Sequence, residues 1–255
     1  MPDRPPILFL HGAFGGADVW RRFVAPWFAK RGHRVAAPPL PGDGAAAPAR
    51  MRDFVNAARA AADALGGAPV VVGHSFGGLV AQHLAAERRL AGLALVASPG
   101  PGGLAPSLWR LTAFKPKVLT ALMLAQAGLG PLLGVNAARA ALFTEEAEDS
   151  WIRRVAAPPT AESPAALYDG MTWDLPLWPL ARGTPTLALL GDRDAFIPMT
   201  DLLAIRVAYG AEVEVFHGMA HGLPIDPRWK RLAWRIEAWL SERAIGGRRE
   251  AALPG

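Results

Sequence analysis

One of the six serines in this 255-residue chain stands between glycines, in Gly73-His74-Ser75-Phe76-Gly77. That spacing has a mechanical use. A sharp turn from a strand into a helix strains the backbone at its apex and lifts a serine hydroxyl clear of the chain. Side chains two residues to either side would collide, and glycine removes them. The following helix aims its first N–H groups at the point where a negatively charged oxygen would form. The competing reading is a glycine-rich turn whose serine caps the helix. Context favours the nucleophile: Val70, Val71 and Val72 precede the motif, and the helix-length segment FGGLVAQHLAAERR follows it.

A serine hydroxyl is a weak nucleophile and needs a base. Six histidines are available. His11 follows the first apolar run and shapes that loop. His33 lies in a helix-to-strand loop and His83 inside the helix after Ser75, both most simply structural or surface residues. His74 adjoins Ser75, but its side chain points elsewhere from the turn. In VFHGMAHGLPID, His217 sits at a strand end, where its ring packs or bonds the backbone. His221 lies deeper in the loop, with the reach a base needs, and is preferred. The base needs a carboxylate to hold its tautomer. LLGDRDAFIP offers Asp192 and Asp194. Asp194 is further into the loop and is favoured, whereas Asp192 suits an Asx-type turn. For an oxyanion, Phe76 N–H is one donor. The second is expected from HGAFGG, with Ala13 N–H first and Phe14 N–H next, against the alternative of a plain glycine-rich turn.

These groups act together only if the fold brings them to one edge of a sheet. Short apolar runs alternate with helix-length segments along the chain. Strands are expected at Ile7–Leu10, in RVAAPPL, PVVVG and LAGLALVASPG, at Thr184–Asp192, and in AEVEVFHG. Helices are expected in ADVWRRFVAPWFAKRG (with Pro26 as an irregularity), MRDFVNAARAAADALGG, FGGLVAQHLAAERR, MTDLLAIRVAYG and DPRWKRLAWRIEAWLSER. The last has Trp229, Leu232, Ile236 and Trp239 or Leu240 on one face. Such alternation predicts an α/β fold, a doubly wound, mostly parallel sheet with helices on both faces. In such a sheet, ligands bind beyond the carboxyl ends of the strands, where the loops of Ser75, Asp194 and His221 all open. The pattern breaks between Pro101 and Gly183, a strandless stretch with Trp109, Trp151, Trp173 and Trp178. It reads as an inserted helical cap. The expected organisation is a core of 1–100 and 184–245, a cap of 101–183 and a tail of 246–255.

Composition narrows the function classes. Half of the residues are hydrophobic, which suits a sizeable core. There is no cysteine, so neither a disulfide framework nor thiol chemistry is available. The net charge of +5 comes from scattered residues, mostly arginines, with one short run at GGRRE. A nucleic-acid groove would need clustering with aromatic neighbours, so no nucleic-acid partner is expected. The start, MPDRPPILFLHG, does not read as a signal peptide, and a cytoplasmic location is expected. Val118–Val135 is uncharged but interrupted by Gly128, Gly130 and Pro131. A buried or pocket-lining helix pair is expected there, with no stable membrane insertion.

HGAFGG, GHSFGG, GDRDAFIP and MAHGLPID, in that order, resemble the α/β-hydrolase superfamily, and Ser75, Asp194, His221 is that family's chain order. The resemblance covers nearly the whole chain apart from the cap's detail. It departs in the loop after the second strand: PPLPGDGAAA, Pro38 to Ala47, lacks the leading aspartate and the arginine of the family's usual D-x-R-G-x-G-x-S. Related dehalogenases and epoxide hydrolases use an aspartate nucleophile, and serine at 75 argues against both. The expected activity is a serine hydrolase acting on a small-molecule carboxylic ester through an acyl-enzyme, without metal or organic cofactor. Leu119, Leu122, Met123, Leu124 and Leu129, with several tryptophans, are candidates to line an apolar pocket, or else only pack the cap on the body. Thioesters, lactones, amides and carbon–carbon bonds remain alternatives on the same triad. A membrane-associated lipase and a non-catalytic binding protein are the readings from other classes.

Overall fold

The computed structural model describes residues 4–41, 49–243 and 245. Most of the PPLPGDGAAA loop and the tail 246–255 lie outside the described residues. In chain order the main body holds β1 (Ile7–Leu10), α1 (Asp18–Arg21), α2 (Val24–Ala29), β2 (Val35–Ala36), α3 (Met51–Leu65), β3 (Val70–His74), α4 (Phe76–Glu87) and β4 (Gly92–Val96). A helical excursion follows, with α5 (Ala105–Phe114), α6 (Pro116–Leu124), α7 (Val135–Leu142), α8 (Asp149–Val155) and α9 (Pro164–Thr172). The chain then returns through β5 (Thr186–Gly191), α10 (Met199–Tyr209), β6 (Glu212–Phe216) and α11 (Trp229–Glu242).

The six strands form one sheet in the order β2-β1-β3-β4-β5-β6, with every pair parallel. Chain direction across the sheet reverses after β2, so β1 and β3 flank a switch point, where the loops beyond two neighbouring strands diverge. Register aligns the strand ends there: Leu10 lies beside Gly73, His74 beside Val96 and Gly191 beside Phe216. The four central strands are buried along their length, which accounts for their nearly continuous apolar runs. Beside them, α3 buries Met51, Phe54, Val55, Ala58, Ala62 and Leu65 at helical spacing. Helix α4 is buried on almost every side and begins directly after Ser75.

Two expected elements differ. ADVWRRFVAPWFAKRG forms two short helices instead of one, broken at Phe23 with φ −135° and ψ −59°. Pro26 is the cause. In a continuous helix its ring would strike the carbonyl of Arg22, whereas in the first turn of a new helix its missing N–H costs nothing. The second strand shrinks to Val35–Ala36 at the sheet edge before Pro38 and Pro39.

The excursion divides in its packing. Ala166 in α9 and Ala181 belong to the main core. The earlier part packs in two satellite clusters: Phe143, Ala147, Ile152 and Val155 with Ile225, and Leu111 and Val118 with Ala195. Val118–Val135 is no single helix, since Gly128 takes φ 79°. Among the described residues, no helix is long and apolar enough to cross a membrane.

Candidate active site

Ser75 occupies the turn between β3 and α4 with φ 53° and ψ −125°, a region that a residue with a Cβ adopts at a cost of about 1–3 kcal/mol. Two backbone bonds hold it there: Ser75 N–H donates to Val96 O at 3.0 Å, and Ser75 O accepts from Gly78 N–H at 2.8 Å. The flanking glycines are required by contact. A Cβ on Gly73 would lie 2.4 Å from Gly77 O, and one on Gly77 would lie 2.3 Å from His11 O. The helix therefore starts directly against the ends of β1 and β3, with Phe76 as its first residue.

The loop after β1 is braced by His11. Its Nε2 accepts Leu40 N–H at 3.0 Å, which leaves Nδ1–H to donate to Gly12 O at 2.9 Å. Gly12, Ala13 and Phe14 then line the cavity wall, with Phe14 at φ 60°.

Beyond β5, Asp194 is buried and both of its carboxylate oxygens are used. Oδ1 accepts Phe196 N–H at 2.7 Å and Ile197 N–H at 2.9 Å; Oδ2 accepts His221 Nδ1–H at 2.8 Å. The imidazole of His221 is itself 5% exposed, so this pair is nearly dry. Asp192 faces outward instead, accepting Gly218 N–H at 2.8 Å and meeting the exposed His217 at 3.3 Å. The structure thus sorts the two carboxylates and two imidazoles into a buried pair and a surface pair. His217 pairs with a carboxylate, where packing or a backbone bond was expected, because β6 ends at Phe216 and leaves the next ring in solvent.

Ser75, Phe76, Ala13 and His221 all line one cavity of about 710 Å³, within the range that holds a drug-sized ligand. Its far walls are apolar and come from the excursion: Leu108 and Leu111 of α5, Leu119, Leu122 and Met123 of α6, Ile152 of α8 and Leu167 of α9. The expected tryptophans are absent from this lining. Trp109 and Trp173 are exposed, Trp178 packs on the main core, and Trp151 donates Nε1–H to Ile225 O at 2.9 Å. Leu124 and Leu129 also face outward.

The excursion is tied to the loops that carry Asp194 and His221. Arg110 of α5 donates to Asp194 O at 3.1 Å, and Gly222 N–H donates to Leu142 O of α7 at 2.8 Å. The sequence reading set His74 aside as pointing elsewhere from the turn, and it did not single out Asp201; the structure places the His74 ring on the loop of His221, at the same cavity as Ser75. His74 is buried, donates Nε2–H to His221 O at 2.9 Å, and leaves Nδ1 without a hydrogen-bond partner among the described residues. Burial, reinforced by the nearby His221, pushes its pKa down to about 3, so the ring is neutral. An unpaired buried nitrogen costs about 1–3 kcal/mol. Asp201, at the start of α10, is also buried, and its Oδ2 has no hydrogen-bond partner among the described residues. Burial, with a smaller push from Asp194, raises its carboxyl to about 7 against the pull of a Gly100 N–H bond. Neither was readable locally: His74 meets a carbonyl 147 positions away, and Asp201 looks like an ordinary first-turn acid.

A sequence profile of the alpha/beta hydrolase family matches residues 7–233. Lipase LipV of Mycobacterium tuberculosis is 41% identical over 91 residues, and the match spans 32% of this chain and 32% of that protein. The chain therefore spans about a third of the length of that curated relative. Among solved structures, a carboxylesterase structure from the thaumarchaeon Nitrososphaera gargenis superposes with TM-score 0.74 at 18% identity, covering 96% of this chain and 92% of that one. A thermophilic esterase from Thermogutta terrifontis superposes with TM-score 0.69 at 23% identity, covering 93% and 90%. At these identities the likeness is one of fold.

Proposed function

The chain belongs to the alpha/beta hydrolase family, and from that premise we propose that it is a serine hydrolase cleaving a carboxylic ester. One observation carries the reading: a serine held at φ 53° on a strand-to-helix turn shares a cavity with an imidazole whose other nitrogen bonds a buried carboxylate 2.8 Å away. The esterase and lipase names among the similar proteins support an ester as the substrate.

In this mechanism Ser75 Oγ attacks the ester carbonyl carbon while its proton passes to His221 Nε2. The carbonyl electrons move onto oxygen, and the N–H groups of Phe76 and Ala13 receive the charge. Removing one such donor typically costs about 100-fold or more in rate. The intermediate collapses as His221 gives its proton to the departing alkoxide, and an alcohol leaves. Water then gives a proton to His221 and its oxygen to the acyl carbon, and Ser75 departs with the proton returned. Asp194 keeps Nδ1 protonated and the ring oriented throughout. Residues 101–183 act as a cap over 1–100 and 184–245, and the apolar walls of α5, α6 and α8 take up the acyl or alcohol part of the ester.

The test is hydrolysis of a chain-length series of nitrophenyl esters by the native protein and by Ser75→Ala, with a fluorophosphonate label located by mass spectrometry. Labelling at Ser75 and near-complete loss in the variant are expected. Equal activity in both proteins refutes the assignment, and a rate peaking sharply at acetate refutes the apolar pocket as the acyl site.

A further inference from the structure

We propose that His74 is a positioning residue that holds the base by its main chain and ties it to the nucleophile's turn. The inference rests on the serine-hydrolase reading above and concerns how that site is kept in alignment.

His74 ends β3 and immediately precedes Ser75. Its Nε2–H reaches the carbonyl of His221, which also accepts Leu223 N–H at 2.9 Å, so the peptide after the base is held from two directions. The two rings lie 4.8 Å apart at a 48° tilt. On the other side Trp20 meets His74 edge-on at 6.3 Å, and Trp20 is fixed by donating Nε1–H to Leu10 O at the end of β1. His74 therefore has one orientation, set by the strands that also set Ser75.

The charge state supports a mechanical role. Burial keeps the ring neutral at any working pH, so His74 presents one fixed donor and exchanges no proton. Its remaining nitrogen is buried and has no hydrogen-bond partner among the described residues. Phenylalanine, leucine or methionine would fill this apolar site without that penalty. What histidine supplies, and they do not, is the bond to His221.

The ring of His221 is held at Nδ1 by Asp194 and its loop by the bond from Gly222 to Leu142 O, but neither contact refers the base to the strand that carries Ser75. A displacement of about 1 Å at a reacting group can cost about 100-fold in rate. Because residues 74 and 75 are consecutive, His74 measures the position of the base against the nucleophile.

His74→Phe keeps the bulk and removes the donor, and His74→Gln keeps a donor on a flexible stem. With a soluble ester, kcat should fall about 10- to 100-fold in His74→Phe with KM within twofold of the native value. His74→Gln should recover most of the loss. Fluorophosphonate labelling of Ser75 should slow in the same order. Should His74→Phe fail to fold, His74→Met makes the same comparison. Native kcat in the donorless variant overturns the proposal, as does an equal loss in the glutamine variant, since either result leaves only packing. Ser75→Ala run alongside separates the two claims. Activity surviving in Ser75→Ala, or no labelling of the native protein, refutes the hydrolase reading. A dead Ser75→Ala beside a fully active His74→Phe refutes only the role of His74.

Discussion

Asp201→Asn should change how stability depends on pH, and the size of the change follows from the burial of one carboxyl. Asp201 is 4% exposed, and its pKa is raised from 3.8 to about 7, chiefly by burial. A raised carboxyl pKa means that the folded state holds the proton more tightly than the unfolded one. The associated stability is fully present below pH 3.8, is lost as pH rises from there to about 7, and stays lost above that. Three pH units at about 1.4 kcal/mol each give a ceiling of about 4 kcal/mol. Between pH 5 and pH 8.5 the expected loss is about 3 kcal/mol, because part of the window lies below pH 5. Asparagine has nearly the same shape and does not titrate, so the variant should lack this loss. Urea unfolding of both proteins at the two pH values reads it directly. Groups distant from residue 201 titrate alike in the two chains, so the difference between the two pH-induced changes reads Asp201 together with its electrostatic neighbour Asp194. Parallel stability profiles would refute the reasoning and mean that Asp201 ionises in the fold as it does in water.

Other perturbations test the site and its walls. Asp194→Asn should lower kcat by about 10⁴ by releasing the tautomer of His221, while Asp192→Asn, on the exposed pair, should stay within a few-fold of native; steady-state rates of both decide between the carboxylates. Gly77→Ala places a Cβ 2.3 Å from His11 O and 2.5 Å from Leu10 O, both backbone atoms that cannot swing aside. A loss of about 3 kcal/mol is expected, seen as a drop of roughly 10 °C in Tm. Leu122→Trp adds bulk inside the cavity and should shift the preferred ester toward shorter chains, with little change in the rate on acetate.

The sheet was legible because its signals are local. Each central strand is a short run of buried apolar residues, and turn residues separate it from an amphipathic helix. Parallel pairing then forces the loops after β1, β3, β5 and β6 to one edge, so the neighbourhood of Ser75 and His221 follows from chain order. Depth in the loop favoured Asp194 over Asp192, and in the structure Asp194 turns inward onto the N–H groups of Phe196 and Ile197 while Asp192 is exposed. The rest depended on distant contacts. Tryptophan content suggested a pocket lining, yet Trp151 is spent on Ile225 O and on stacking with Phe23 at 5.7 Å. Its side chain serves an attachment that no spacing within the excursion reveals. The break at Phe23 could have been read from Pro26, had the clash with the carbonyl four residues earlier been weighed against the amphipathic pattern.

The bonds from Arg110 to Asp194 O and from Gly222 to Leu142 O bear on how specificity is re-engineered on this scaffold. The helices that shape the pocket also anchor the loops of Asp194 and His221, and Ala195 and Ile225 are packed into their clusters. A graft that exchanges only the segment between β4 and β5 for a relative's would carry in a new pocket and cut both anchors. The transferable module is discontinuous: those helices together with Asp192–Phe196 and His221–Ile225.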